Sequence, residues 1–484
     1  MNTLIYSKST KYKVQSTKTV SLRLFSILFF LFSSITFAQV QDTTKVNQLD
    51  DVLVSAVRVT SKTPVSFSNL TKKQIQFRNL GQDIPTLMNY MPSVVTTSDA
   101  GNGIGYSGIR VRGSDATRVN VTINGIPYND SESHGTFWVN MPDFVSSVES
   151  IQLQRGVGTS TNGSGAFGAS LNMLTDSYTK ESSAEIASSV GSFNTLKNTV
   201  KFSTGLLNDH FEIAGRLSVL QSDGYIDRAS SDLKSYFLQG TYVGKTTLLK
   251  ALVFGGKEKT YQAWYGIEDV DKLENDRTFN PAGMYTDEFG NVQFYDNETD
   301  NYWQNHFQLH WIEKWSENWI SNAALHYTIG KGYFEQFKED ETLADYDLPD
   351  FGGNSISDLV RKRWLDNDFF GTTFSLNYKT LKTDVLFGGA ANRYLGKHFG
   401  EVIWTQYYVP NANTYYDNFG NKDDINFYTK ASYNITNKLN LFTDLQYRMV
   451  FYEATSVKFS DVNDTFRFFN PKAGLSYQLN NNVR

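Results

Sequence analysis

The chain has 484 residues, enough for two or three domains, and a net charge of only −5 with no basic block, which leaves a nucleic-acid partner without electrostatic footing. It contains no cysteine, so a disulfide scaffold, a thiolate metal site and a cysteine nucleophile are excluded. Aromatic residues reach 15%, with 28 Tyr and 35 Phe, while charged residues stay at an ordinary 20%. A tyrosine-rich chain that is not greasy suits a lipid-facing barrel with aromatic girdles and a polar lumen, although a soluble all-β protein shares the feature.

Lys8, Lys11, Lys13, Lys18 and Arg23 give a positive start, followed by the apolar run Leu24–Phe37 and then Ala38-Gln39. That run is too short to cross ~30 Å of hydrocarbon as a helix. With Thr36 and Ala38 small at the cleavage positions, residues 1–38 read as a secretory signal peptide. No later apolar run approaches the ~18 residues of a membrane helix, so a membrane protein of this sequence must be a barrel. A polar segment follows, and then a short β-prone stretch, Leu49–Ala56 (LDDVLVSA).

Between Pro64 and Pro92 the pattern turns helical. Thr71 is placed to cap a helix over Lys72–Arg78, and Ile84, Leu87, Met88 and Met91 recur at helix spacing. Three short strands then carry arginines where a buried strand would carry valine: Gly108-Ile109-Arg110-Val111-Arg112-Gly113-Ser114, Arg118-Val119-Asn120-Val121-Thr122-Ile123 with the hairpin Asn124-Gly125-Ile126-Pro127, and Val148-Glu149-Ser150-Ile151-Gln152-Leu153-Gln154-Arg155-Gly156. So many arginines predict a wet, charged enclosure and not a dry core. Two polar loops interrupt them, TTSDAGNGIG over Thr96–Gly105 and NDSESHGTFW over Asn129–Trp138. Gly103, Gly105 and Gly108 satisfy G-x-G-x-x-G, but a strand follows where a dinucleotide fingerprint needs a helix. Neither a nucleophile elbow nor a Walker or zinc-protease motif is present, so no catalytic residues are assigned.

Beyond Thr175 long alternating strands take over. Phe211, Ile213, Leu217 and Val219 alternate with Glu212, Arg216 and Ser218; the same rhythm returns at Phe370–Tyr378, Phe427–Ile435 and Leu441–Met449. About 12 such strands fit between Glu185 and Leu479, apolar outward and polar inward, the transmembrane barrel signature. Short turns at Leu206–His210, Gly244–Thr246, Ser316–Asn318, Leu381–Thr383 and Thr436–Lys438 alternate with long loops at Asp223–Lys234, Lys259–Trp303, Lys338–Asp366 and Gly400–Asp424. That rhythm puts the short turns in the periplasm and the long loops outside. The loop Lys259–Trp303 is rich in carboxylates and carries Tyr261, Trp264, Tyr265 and Trp303, a surface for cationic or aromatic ligands or for lipopolysaccharide bridged by divalent ions; a solvated acidic loop is the plainer alternative. His306 and His310 share a strand face, yet four residues at ~3.3 Å separate them by about 13 Å, too far for one metal.

The strand IRVRGS, the hairpin VTINGIP and the run IQLQRGVGTSTNGSGAFGASLNMLT resemble, in order and spacing, the plug domain of TonB-dependent outer-membrane receptors over roughly Asp50–Thr175. The resemblance implies an α+β plug domain inside a transmembrane antiparallel β-barrel, without a cofactor or a bound metal. It divides the chain into a signal peptide (1–38), a periplasmic segment (39–56), a plug (57–176) and barrel (177–484). Asp51, Val52, Leu53, Val54, Ser55 and Ala56 then resemble a TonB box, which adds as a strand to TonB in complex with its inner-membrane motor; the first strand of a domain would look similar. The expected cargo is a ferric siderophore or a ferric-citrate-type chelate, with cobalamin or small glycans as alternatives. A passive porin or adhesin barrel is the alternative of another class. Outer-membrane lipid and lipopolysaccharide are the surroundings the resemblance implies.

Two further expectations follow. Plug loops that meet ligand in this family would here supply Ser98, Asn102, Tyr106, Asn129, Ser131, His134 and Trp138, an ordinary surface loop being the alternative. Arg110, Arg112, Arg118 and Arg155 would pair with barrel carboxylates such as Glu212 or Asp444, either simply fixing the plug or forming a latch that a pull on the box releases. Size adds a last expectation. Twelve strands close to a backbone diameter of roughly 24 Å, too narrow for a plug roughly 36 Å across, whereas ~22 strands give roughly 43 Å. The sequence therefore reads as the N-terminal portion of a longer receptor.

Overall fold

The computed structural model describes residues 58–60, 63–161, 163, 166–410, 413–458 and 460–480. The expected signal peptide over 1–38 and the expected TonB box over Asp51–Ala56 lie outside the described residues.

The plug is built on a mixed five-stranded sheet in the order β1-β6-β7-β4-β5, with β1 Ser66–Thr71, β4 Val119–Ile123, β5 Ile126–Pro127, β6 Val148–Arg155 and β7 Ala169–Thr175. Strands β4 and β7 run parallel and the other pairs antiparallel. A separate hairpin joins β2 Val94–Ser98 to β3 Ser107–Val111. Helix α1, Lys72–Arg78, starts where Gln74 Oε1 accepts from the Thr71 backbone N–H at 2.9 Å, half of a reciprocal capping box. Helix α2, Ile84–Met88, has Asp83 at its N-cap and Pro85 in its first turn.

The expectation of a core that is not dry is half corrected. One face of the sheet is dry: Val119, Val121, Ile123, Ile151, Leu153, Leu171 and Met173 are all buried in one apolar cluster with Met88, Trp138 and Phe144. The opposite face is buried too, but polar, with Thr122 Oγ1 donating to Asn172 Oδ1 at 2.6 Å and Gln152 Nε2 to Asn69 Oδ1 at 2.9 Å. Period-2 alternation sorts the two sets, while Arg110, Arg112 and Arg118 sit exposed at strand ends.

The enclosing sheet has 12 strands, each antiparallel to its neighbours. They are β8 Ser183–Gly191, β9 Thr195–Ser203, β10 Phe211–Ser222, β11 Ser231–Val243 and β12 Thr247–Tyr261, then β15 Thr299–Lys314, β16 Trp319–Thr342, β17 Ile356–Lys379, β18 Thr383–Thr405, β19 Asn413–Asn434, β20 Leu439–Thr455 and β21 Val462–Tyr477. The connection between β12 and β15 carries the helix α3, Val270–Asn275, and a small hairpin of β13 Met284–Thr286 and β14 Val292–Phe294. On β10, Leu217 is 65% exposed on the outer face and Arg216 is 2% exposed on the inner face, so the apolar-out, polar-in reading holds residue by residue. Among the described residues no helix is long and apolar enough to cross a membrane.

The long loops need correction. Strands β16 and β17 are 24 residues each, and the predicted loops Lys338–Asp366 and Gly400–Asp424 are largely strand. Only 9–11 residues are needed to cross hydrocarbon. Past the membrane both faces meet water, so the apolar alternation fades in the sequence while the backbone ladder continues.

Candidate ligand-binding site

The plug is held against β9 and β10 by one buried charge cluster. Asp143, in the left-handed conformation before the short 3-10 helix Phe144–Ser147, accepts from Lys197 Nζ at 2.7 Å and lies 3.4 Å from Arg216 Nη1. Thr199 Oγ1 donates to the same carboxylate at 2.6 Å and Ser218 Oγ at 2.8 Å. Burial pushes the Asp143 carboxyl up, but Arg216 and Lys197 outweigh it and hold it well below the usual carboxylate range. Asp176 repeats the pattern with Lys72 at 2.9 Å and Lys201 at 3.1 Å. Barrel lysines also grip plug backbone: Lys250 Nζ donates to the Asp176 carbonyl at 2.8 Å, Lys422 Nζ to that of Ser131 at 2.6 Å and Lys472 Nζ to that of Gly158 at 2.6 Å.

This polarity corrects the expected arginine pairs. Arg118 pairs with Asp115 inside the plug, and Arg155 donates to the Pro92 carbonyl and to Ser68 Oγ. Arg110 and Arg112 form no ion pair among the described residues. Glu212 accepts from Thr179 N–H and Ser203 Oγ, and Asp444 from the Ser160 N–H. At the Asp143 cluster the carboxylate is the plug's and the cations are the barrel's.

Above this anchor the plug's apical loops and the inner wall of β12–β19 enclose a cavity of about 560 Å³. Gly105 lets the plug loop come this close: its φ is +91°, and a Cβ there would meet Ser231 Oγ at 2.9 Å. The next residue, Tyr106, donates from its hydroxyl to Asp300, and Glu258 Oε1 lies 3.5 Å away. Burial and these two carboxylates push the Tyr106 phenol far up, so it stays a neutral donor. Tyr128 donates to Gln304 Oε1 at 3.4 Å, and Tyr302 to Asn367 Oδ1 at 2.7 Å. Trp264 and Phe137 each meet the Tyr106 ring edge-on, at 5.7 and 6.5 Å. On the far side Glu132 accepts from Tyr394 at 2.8 Å and from His398 Nε2 at 2.7 Å, tying a second plug loop to β18.

Of the predicted ligand residues, Tyr106, Asn129 and Ser131 line this cavity. Ser98, Asn102, His134 and Trp138 do not. Ser98 Oγ accepts from the Gly103 N–H, Asn102 Nδ2 donates to Ser222 Oγ, His134 is exposed outside the lining, and Trp138 is buried in the plug core. The aromatic that faces the cavity is the preceding residue, Phe137, because the 3-10 turn Trp138–Asn140 swings the following side chain inward. Glu258, Asp300, Tyr302, Tyr333 and Trp364 also line the cavity, and in the sequence only the acidic, aromatic character of Lys259–Trp303 points to their neighbourhood. His306 lines the cavity with its ring stacked on Phe254 at 4.7 Å and Nδ1 against Thr328 Oγ1, while His310 Nε2 faces Gln308 Oε1. Among the described residues no group of three or more His, Asp or Glu is arranged to hold a metal.

Residues 59–170 match the family model of the TonB-dependent receptor plug domain. No curated protein matches the chain. Among solved structures, the open form of the ferric-catecholate import receptor Fiu from E. coli K12 superimposes with a TM-score of 0.64 at 14% identity, over 88% of this chain and 69% of that one. The siderophore receptor PiuA from Acinetobacter baumannii gives 0.64 at 14% identity, over 88% and 64%. The ferripyoverdine receptor of Pseudomonas aeruginosa gives 0.62 at 15%, over 87% and 56%. At such identities the likeness is one of fold: a plug inside a receptor-type outer-membrane β-barrel. The chain spans less than two thirds of the length of the latter two.

Proposed function

We propose, from the premise that this chain carries a TonB-dependent receptor plug within the fold of those receptors' barrels, that the complete protein is an outer-membrane importer of a scarce nutrient driven by TonB. The cargo class we favour is a ferric siderophore or ferric-citrate-type chelate, the class named for receptors of similar fold. Residues 1–38 would direct export, 39–56 would lie in the periplasm, and Asp51–Ala56 would pair with TonB by strand addition.

One observation carries the reading. The cavity is lined jointly by plug and barrel, so an occupant must touch Tyr106, Tyr128 or Asn129 on the one and Tyr302, Tyr333 or Trp364 on the other. Ligand binding is thereby coupled mechanically to the domain that a pull on the box would move. The work of such a pull would be done against contacts such as those of Asp143 with its partners on β9 and β10.

The test compares uptake of labelled ferric chelates, cobalamin and oligosaccharides by the complete receptor and by a Val52→Pro, Val54→Pro variant. Proline removes the backbone donors that strand addition uses. Uptake of one ligand class should fall to background in the variant while surface binding persists. Undiminished uptake through the double-proline variant would reject energy coupling at this segment and favour a passive pore.

A further inference from the structure

Among the described residues, the part of the cavity wall that this chain supplies is richer in carboxyl groups than in cations. The described lining residues include the carboxyl groups of Asp99, Asp130, Glu258 and Asp300 and the guanidinium of Arg363. Arg363 is already engaged, donating to Tyr416 Oη at 3.3 Å with its guanidinium over the Phe334 ring at 5.4 Å. His398 is engaged with Glu132. Catecholate and citrate chelates of ferric iron are polyanions, and sites for such ligands are built from free arginine and lysine clamps.

The floor of the cavity is short of donors. Glu258 and Asp300 lie on paired strands, two residues apart in register, since Glu258 stands opposite Tyr302 and Asp300 opposite Thr260. Both carboxylates turn to one hydroxyl, that of Tyr106. Glu258 is only 2% exposed, yet its Oε2 has no hydrogen-bond partner. A buried carboxylate oxygen without a donor costs free energy that a ligand carrying N–H donors and positive charge would recover. Around the floor stand the rings of Trp264, Tyr302, Tyr333 and Trp364, and an aromatic wall beside carboxylates is what stabilises an organic cation.

We propose that this cavity selects a ligand bearing an organic cation, a primary ammonium or similar group seated between Glu258 and Asp300, and discriminates against polyanionic chelates. The proposal rests on the import reading above and narrows its substrate class. A ferric tris-hydroxamate is neutral at the metal, so a pendent ammonium makes it a monocation, and this is the chelate chemistry that the floor fits.

The experiment measures binding to the complete receptor by tryptophan quenching and by competition. The probes are a linear ferric tris-hydroxamate with a terminal ammonium, its N-acetylated neutral analogue, ferric citrate, and the iron-free pair phenethylammonium and phenylacetate. The ammonium chelate should bind about tenfold or more tightly than its acetylated analogue, and ferric citrate most weakly. In Glu258→Gln and in Asp300→Asn, each checked for a folded barrel by heat-modifiable migration, the two hydroxamates should come within about threefold of each other. Equal binding of the two hydroxamates by the unaltered receptor, or tighter binding of ferric citrate, overturns the proposal and needs no variant. Failure of the iron reading looks different: phenethylammonium would bind over phenylacetate in a Glu258-dependent way while no ferric chelate bound or entered. Entry of ferric chelates without any charge preference would sink the cation site and leave the import reading standing.

Discussion

The plug sheet and the barrel sheet carry the same period-2 alternation and turn its apolar half in opposite directions. In β4 and β6 the apolar members go inside, Val119, Val121, Ile151 and Leu153 filling a dry core; in β10 they go outside, with Phe211, Ile213 and Leu217 on the surface and Glu212, Arg216 and Ser218 within. A plug must be a small globular protein in its own right, stabilised by removing apolar area from water. A barrel meets hydrocarbon outside and a polar plug inside, so the same rule applied to another solvent inverts the pattern. The two regimes meet at Asp143, where the plug's carboxylate is desolvated against the barrel's cations.

Breaking that junction should have the largest effect. Asp143→Ala leaves Lys197 and Arg216 buried without a counter-charge, a change that costs about 3–5 kcal/mol. Limited proteolysis of the folded receptor should cut the plug rapidly in the variant; protection equal to that of the unaltered protein would mean the plug is held elsewhere. Next come two substitutions that separate the regimes. Ile151→Ala opens a void in the dry core, about 2–5 kcal/mol, and should loosen the plug while barrel insertion stays normal. Leu217→Arg places a charge on the lipid face, ~2–4 kcal/mol near mid-membrane, and should impair insertion while sparing plug protection. If the two variants gave the same phenotype, the sheets would not be separate folding units.

A comparable effect concerns pH. Burial pushes the Asp83 carboxyl up to about 8, against a hydrogen bond from Ser107 Oγ that pulls it down. Its unfolded value is ~3.9, so the folded plug holds a proton that the unfolded chain releases between those limits. Stability contributed there is present at low pH and is lost as pH rises toward 8. The plug's unfolding midpoint should drop by about ten degrees or more between pH 5 and 8 and level off above, whereas Asp83→Asn, an equally good N-cap, should flatten the curve. A variant that kept the slope would assign the titration to another group. Smallest of all, Gln74→Ala removes one arm of the α1 capping box and should cost ~1 kcal/mol in local hydrogen-exchange protection, with no change at the cavity.

The sequence alone determined the alternation, the strand count of the enclosing sheet, the helix start at Thr71 and the plug motifs, because periodicity and local turn chemistry are properties of neighbouring residues. Tertiary structure alone decided which partner each charge meets. Glu258 and Tyr106 are 152 positions apart, and Asp143 and Arg216 are 73, so no local pattern could pair them. It also decided that Phe137 and not Trp138 faces the cavity, a matter of one turn's geometry, and that strands outrun their apolar stretch once both faces reach water. Hydrophobic pattern is written along the chain, whereas electrostatic pairing exists only after the chain has closed on itself.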